Sequence, residues 1–327
     1  MDMKKAIVIG ATGGTGVAVT QELINRGIST VAYGRSRHKL EQLAAALGSP
    51  SHLQLAVGDA FEPNEIIAAS QEVDVMFHCA NVPYNEMESR LLPLGESVMK
   101  AAEQLALKVV VIDGIYPYGR SQMNEVTEEH PKQPHTRKGK TRLAYEQMLF
   151  SSKWTRAQIM IVRLPDYYGP TANEASYLGS TLESIAKGKM AFFIGNMKTP
   201  REYIYLPDAA VMVVELANRE NTYGQNWNIP GSGIIAGNDI VRIAQKAAGV
   251  TKPVVPLGKI GLSLIGLGVP VMREIVEMLY LTEEPLILSR QKYERNIGPV
   301  QATSFEEGIA VTIRQLLKKW IIFFVHL

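Results

Sequence analysis

The sequence predicts an α/β fold, a doubly wound parallel sheet joined to a smaller, mostly helical C-terminal substrate region. A pair of observations predicts it. Residues 4–16 read KKAIVIGATGGTG, a short apolar run stopped by glycines at three-residue spacing. Strand and helix signals then alternate through the first half of the chain, the pattern of right-handed crossovers between parallel strands.

Each element follows from its own residues. Ala6 to Ile9 is short and apolar enough for a strand buried on both faces. Gly10, Gly13 and Gly16 follow, and Val17, Val19, Leu23 and Ile24 then recur at helical intervals. Thr30–Tyr33 reads as the next strand and Lys39–Leu47 as the next helix. Leu53–Val57 is a strand, Glu65–Ser70 a short helix, Val73–Cys79 a strand and Glu88–Leu105 a helix. Lys108–Ile112, Thr141–Ser151 and Ile159–Arg163 complete the series as strand, helix and strand. Beyond Pro165 proline and glycine become frequent, and the apolar segments are shorter and helical.

Composition excludes several classes. Of 327 residues 46% are hydrophobic, ample for a sizeable core. Thirty-four Lys and Arg against 32 Asp and Glu leave a net charge of +2, without the basic stripe of a nucleic-acid binder. Cys79 is the single cysteine, and the six histidines lack metal-ligand spacing, so neither disulfide nor metal is expected. Residues 254–272 are apolar but broken by Lys259, glycine and proline, and the tail 320–327 is too short to span a bilayer. A strand this near the N-terminus leaves no room for a signal peptide, and a cytoplasmic protein is expected. No G-x-S-x-G elbow supports hydrolase chemistry.

Strand, glycine turn and helix form the context of a dinucleotide site. Gly10 permits the tight turn, Gly13 lets the backbone approach a pyrophosphate, and Gly16 lets the helix pack on the strand. Thr12 and the helix-opening Gly14 and Thr15 are expected to face the phosphates, where the helix dipole favours negative charge. The second strand ends Tyr33-Gly34-Arg35-Ser36-Arg37, without the carboxylate that holds a ribose 2′-hydroxyl. Arg35 and Arg37 offer guanidinium groups to a 2′-phosphate, which favours NADP(H) over NAD. The plainer alternative is that both arginines solvate a loop. Asp59, followed by Ala60 at the third strand's end, is expected to accept from the adenine amino group.

These motifs resemble the short-chain dehydrogenase/reductase superfamily, in its extended or atypical branch of NAD-dependent epimerase/dehydratase-like proteins. GATGGTG matches the family's GxxGxxG, and His78-Cys79-Ala80-Asn81 matches the segment after the fourth strand. Arg163 with Tyr168-Gly169-Pro170, the block from Arg201 to Asp208 and the ending SFEEGIAVTI match as well. The resemblance covers nearly the whole chain. It implies a Rossmann-type dinucleotide domain over residues 1–165, with 200–230 returning to it. Residues 166–199 and 231–327 would form the substrate-binding region. It also implies that Cys79, Ala80 and Asn81 line the cofactor, and that Tyr116, Tyr118, Tyr168 and Arg201 face the substrate.

The catalytic residues depart from that pattern. The family's strand-end Ser or Thr falls on Gly114, and its YxxxK pair falls on Lys138 and Arg142. KxKxRxxxE is similar to the helix of the isoflavone-reductase and phenylcoumaran-reductase group, in which a lysine is the acid/base. Lys138 and Arg142 lie four apart on one helical face, where a neighbouring cation would pull the lysine pKa down. Arg142 would hold the nicotinamide ribose, and Asp113 is a second candidate proton carrier. The leading expectation is an NADP(H)-dependent reductase of a small carbonyl or unsaturated substrate. A nucleotide-sugar epimerase or dehydratase and a catalytically silent NADP-binding redox sensor stand as alternatives, with a homodimer as the default assembly.

Overall fold

The computed structural model describes residues 3–121, 123–172, 176–300 and 302–325, with backbone alone at 270–271 and 319–325. The end of the apolar tail, 326–327, lies outside the described residues. The first half alternates as expected: β1 (Lys5–Ile9), α1 (Gly14–Asn25), β2 (Ser29–Gly34), α2 (Arg37–Ala46), β3 (Leu53–Val57) and α3 (Pro63–Ala69). β4 (Val75–His78), α4 (Met87–Leu105), β5 (Lys108–Gly114), α5 (Arg137–Leu149) and β6 (Gln158–Leu164) follow. Then come β7 (Asp166–Tyr168), α6 (Tyr177–Ala186), β8 (Ala191–Ile194), β9 (Pro200–Tyr205), α7 (Leu206–Ala217) and β10 (Gln225–Asn228). The chain ends with β11 (Ile234–Ala236), α8 (Gly237–Ala248), β12 (Val254–Leu257), α9 (Lys259–Ile265), α10 (Pro270–Val276), α11 (Tyr280–Glu283), α12 (Gln291–Asn296) and α13 (Phe305–Val325).

Seven strands form one sheet in the order β10-β6-β5-β4-β1-β2-β3, every neighbouring pair parallel. The order reverses between β1 and β4, which opens a crevice beyond their carboxyl ends. Alternation along β1 explains its apolar run. Val8 belongs to the core under α1 and α7, while Ile7 and Ile9 belong to the core under α4. α7 packs on α1, and β10 closes the sheet beside β6.

Two expectations about the elements shift. α5 starts one turn earlier than Thr141, because the Thr136 hydroxyl accepts from the Gly139 amide at 3.0 Å and caps it. Its first turn, Arg137 to Lys140, carries no apolar stripe that would reveal the start. Beyond Pro165 the chain is less purely helical than expected, since the small sheets β11-β9-β7 and β12-β8 accompany the helices. Their strands of three to six residues are too short to display a period. Among the described residues no helix is long and apolar enough to cross a membrane.

Candidate active site

A cleft of about 900 Å³ runs over the carboxyl ends of β1, β2, β4, β5 and β6 and under α6 and α10. Its floor is the glycine turn. Gly10 has φ +82°, and a Cβ there would stand 2.6 Å from the Cα of Ala80. A Cβ on Gly16 would fall 2.2 Å from the Gly10 carbonyl, so this glycine sets how closely α1 approaches β1. Gly13 differs. A Cβ there meets only the Gly10 carbonyl at 3.5 Å, and the residue lines the cleft with Gly10, Thr12, Gly14 and Thr15. No side chain caps α1, whose opening amides therefore remain available to an anion.

The adenosine end is built from the next two strands. Gly34 and Arg35 line the cleft, and so does Lys39. Arg37, expected to join Arg35 at the 2′-phosphate, is exposed on the first turn of α2 and does not line the cleft. The helix starts at Arg37, so the turn that follows brings Lys39 back toward the cleft. Asp59, Ala60 and Phe61 line the wall, with the Asp59 carboxylate accepting from the Phe61 amide at 3.1 Å. Tyr33 donates to the Asp59 carbonyl at 3.0 Å, and Arg90 lies over the Phe61 ring at 4.4 Å from its centroid. Cys79, Ala80 and Asn81 line the crevice beyond β4. Burial holds the Cys79 thiol well above its ordinary pKa, so it is a neutral wall group.

At the opposite end the charged side chains are locked together. Arg142 donates to Asp113 Oδ1 at 2.7 Å and to Asn81 Oδ1 at 3.1 Å. The other Asp113 oxygen accepts from the fully buried Arg163 at 3.0 Å, and Arg163 reaches Glu146 at 2.6 Å and the Gly114 carbonyl at 2.9 Å. Glu146 also accepts from Lys132 and from Asn226. The network ties β5, α5, β6 and β10 into one block. Arg142, Asp113 and Gly114 line the cleft, and a Cβ added at Gly114 would meet nothing within 4 Å.

Lys138 stands elsewhere. It is 1% exposed, does not line the cleft, and pairs with Glu274 of α10 and with Glu277 at 3.1 Å. Its ammonium lies 4.8 Å from the ring centroid of Tyr84, and it is Tyr84 that faces the cleft. Carboxylates, rather than Arg142, are what the ammonium touches, so the geometry does not supply the neighbouring cation expected from the helical spacing. Glu88, Glu274 and Glu277 do gather closely, but Arg137 and Lys138 occupy the space between them.

Of the expected substrate residues Tyr116 lines the cleft, and Tyr118, Tyr168 and Arg201 do not. Tyr118 is buried, donates to Asn228 Oδ1 at 2.8 Å and lies beneath Arg163. Tyr168 packs in the core against Tyr205 and Phe305. Alternation along β7 turns Tyr167 to the cleft instead. Arg201 is paired with Asp166, and Asp166 is the partner that lines the cleft. No spacing in the sequence points to Tyr84 and Tyr177, whose hydroxyls join that of Tyr116. Tyr177 donates to Tyr84 at 3.1 Å and Tyr84 to Tyr116 at 3.3 Å. Burial pushes Tyr84 and Tyr177 well above the ordinary phenol pKa, so both stay protonated donors. His78, buried behind the cleft against Tyr145, has neither ring nitrogen hydrogen-bonded, and burial lowers its pKa to about 4.

With the glycine turn, the switch point and the cleft in place, comparison with known proteins is direct. The model of the NAD dependent epimerase/dehydratase family matches residues 6–230. The chain belongs to this family. Its fold is shared by several solved epimerases and a dehydratase. It is similar to a Bacillus cereus UDP-glucuronic acid 4-epimerase in complex with NAD, at 19% identity and a TM-score of 0.75, covering 96% of this chain and 99% of that one. A UDP-glucose 4-epimerase from Thermotoga maritima with UDP-glucose gives 15% identity and a TM-score of 0.76, covering 97% and 99%. A Bacillus anthracis dTDP-glucose 4,6-dehydratase in complex with NAD gives 13% identity and a TM-score of 0.77, covering 96% of each chain. At these identities the likeness is one of fold. No curated protein matches the sequence.

Proposed function

We propose that the protein is a nicotinamide-dinucleotide-dependent enzyme acting on a small oxygen-bearing substrate in this cleft. One observation carries the proposal: the bare Gly13 backbone and the uncapped start of α1 lie on the floor of the cleft, between an adenosine-sized wall and a far chamber. Gly13, Gly14 and Thr15 would hold the diphosphate, Asp59 to Phe61 the adenine, and Arg142 with Asn81 the nicotinamide ribose. The nicotinamide supplies a hydride acceptor or donor when bound. The Bacillus cereus and Bacillus anthracis neighbours are in complex with NAD; in this chain Arg35 and Lys39 line the ribose end without a strand-end carboxylate, which supports NADP.

Family membership favours an epimerase or dehydratase cycle, in which redox change is internal to one turnover, over the net carbonyl reduction expected from the sequence. Tyr116, backed by Tyr84 and Tyr177, is the group we assign to the substrate's oxygen, since Lys138 faces carboxylates and both Asp113 oxygens face guanidinium groups. The two cycles separate in one assay. An epimerase or dehydratase converts substrate while total NADP(H) absorbance at steady state stays constant, and this is the expected result. Stoichiometric NADPH oxidation would establish net reduction instead. A purified protein that neither retains nor binds any dinucleotide would overturn both.

A further inference from the structure

We infer that the far end of the cleft takes an uncharged molecule with an apolar body and a hydrogen-bonding oxygen, and does not take a nucleoside diphosphate. The inference rests on the reading that the dinucleotide fills the other end. Family membership speaks to the chemistry performed, whereas the handle by which a substrate is held is set by this chain's own residues.

Charge is the first argument. A diphosphate in a partly buried chamber needs guanidinium or ammonium groups whose charge is not already met. Among the described residues, Arg142 at this end and Lys138 and Arg201 behind its wall are each matched by a carboxylate. Arg142 is bound to Asp113, Lys138 to Glu274 and Glu277, and Arg201 to Asp166. The last pair is the most telling. The Asp166 carboxylate lines the cleft, while the Arg201 side chain is 5% exposed and stays behind it. An arriving phosphate meets the anion first and would have to strip it from its partner. At the start of α6 the Ser176 hydroxyl already accepts from the Gly179 amide at 2.9 Å, which takes one of that helix's free donors.

The wall is the second argument. Leu262, Ile275 and Leu279 form an apolar cluster with Tyr84, Tyr177, Ile194 and Met272 packed on it. Tyr84, Tyr177, Ile194, Met272 and Ile275 all line the cleft, so its far chamber is a contiguous apolar and aromatic surface. The hydroxyls supply the polar element. The hydroxyls of Tyr116, Tyr84 and Tyr177 form one hydrogen-bonded cluster on this wall, each able to donate or accept. A neutral hydroxyl or carbonyl oxygen is the group that can join such a cluster without bringing a charge into it.

Isothermal titration tests the inference with two probes, UDP and 1-phenylethanol, each run with and without saturating NADP+. The expected result is that 1-phenylethanol binds the wild-type protein at least about tenfold more tightly than UDP. Asp166→Asn, which frees the Arg201 charge, should then raise UDP affinity by about tenfold. UDP binding as tight as or tighter than the alcohol in the wild-type protein would overturn the inference, and so would no detectable binding of the alcohol. Arg201→Gln removes the same ion pair without freeing a cation, and should leave UDP as weak as in wild type. An absent NADP+ isotherm would instead sink the dinucleotide reading, and this one would then be decided by whether Asp166→Asn, and not Arg201→Gln, raises UDP affinity.

Discussion

The two ends of the cleft are made of different material. At the dinucleotide end the ligand surface is backbone, and the decisive residues act through the side chain they lack: Gly10 and Gly16 permit close approach, and Gly13 leaves the floor bare. At the far end the surface is side chain. Tyr84, Tyr116, Tyr177 and Ile275 come from four separate segments and meet only in the folded molecule. The charged groups there are spent on holding the structure, with Asp113 bridging Arg142 and Arg163. Backbone recognition can be written in a dozen consecutive residues, whereas a side-chain chamber is assembled by topology.

That contrast can be broken or sharpened by substitution. The largest effect is expected at Asp113, since Asp113→Ala leaves a fully buried Arg163 short of one partner and Arg142 without its carboxylate. Urea denaturation should show a loss of about 3–5 kcal/mol. A loss below about 1 kcal/mol would mean that this end is not held by charge pairing. Next is acid sensitivity. His78 is neutral in the fold with its pKa lowered to about 4, so the unfolded chain binds more protons between about pH 4 and 6.5. Stability therefore rises with pH through that window, by on the order of 3 kcal/mol, and His78→Leu should flatten the slope. Equal slopes in variant and wild type would remove the assignment.

Lys138→Met comes third. It strips Glu274 and Glu277 of their buried partner and should cost about 2 kcal/mol of stability while leaving NADP+ affinity within about twofold. Turnover abolished at unchanged stability would restore the acid/base role that the helix spacing suggests. Arg35→Glu should have the smallest effect, turning a preference for NADP+ into one for NAD+ through a change of about tenfold in the affinity ratio. An unchanged ratio would leave Arg35 as a solvated loop residue.

Legibility in the sequence follows the same divide. The strand–helix alternation and the spacing of Gly10, Gly13 and Gly16 are local, and both appear in the structure where the pattern places them. Arg37 is displaced from the cleft because α2 begins at that residue, and Lys39, further along the same turn, lines it instead. Tyr168 is off by one because strand parity is invisible in a three-residue strand, which turns Tyr167 inward. Lys138 can be read only from its own helix, yet its environment is set by carboxylates 136 and 139 residues away. Nothing within α5 carries that information.

A dinucleotide whose diphosphate rests on the start of α1 would be most sensitive to change at Gly13. A Cβ there comes no closer than 3.5 Å to the backbone, and a carboxylate on it would stand beside the opening amides. Calorimetric titration of wild type and Gly13→Asp with NADP+ should show saturable binding in the first and a weakening of about a hundredfold or more in the second, at matched melting temperature. Equal affinity in the two proteins, or no binding in either, would contradict that placement of the diphosphate.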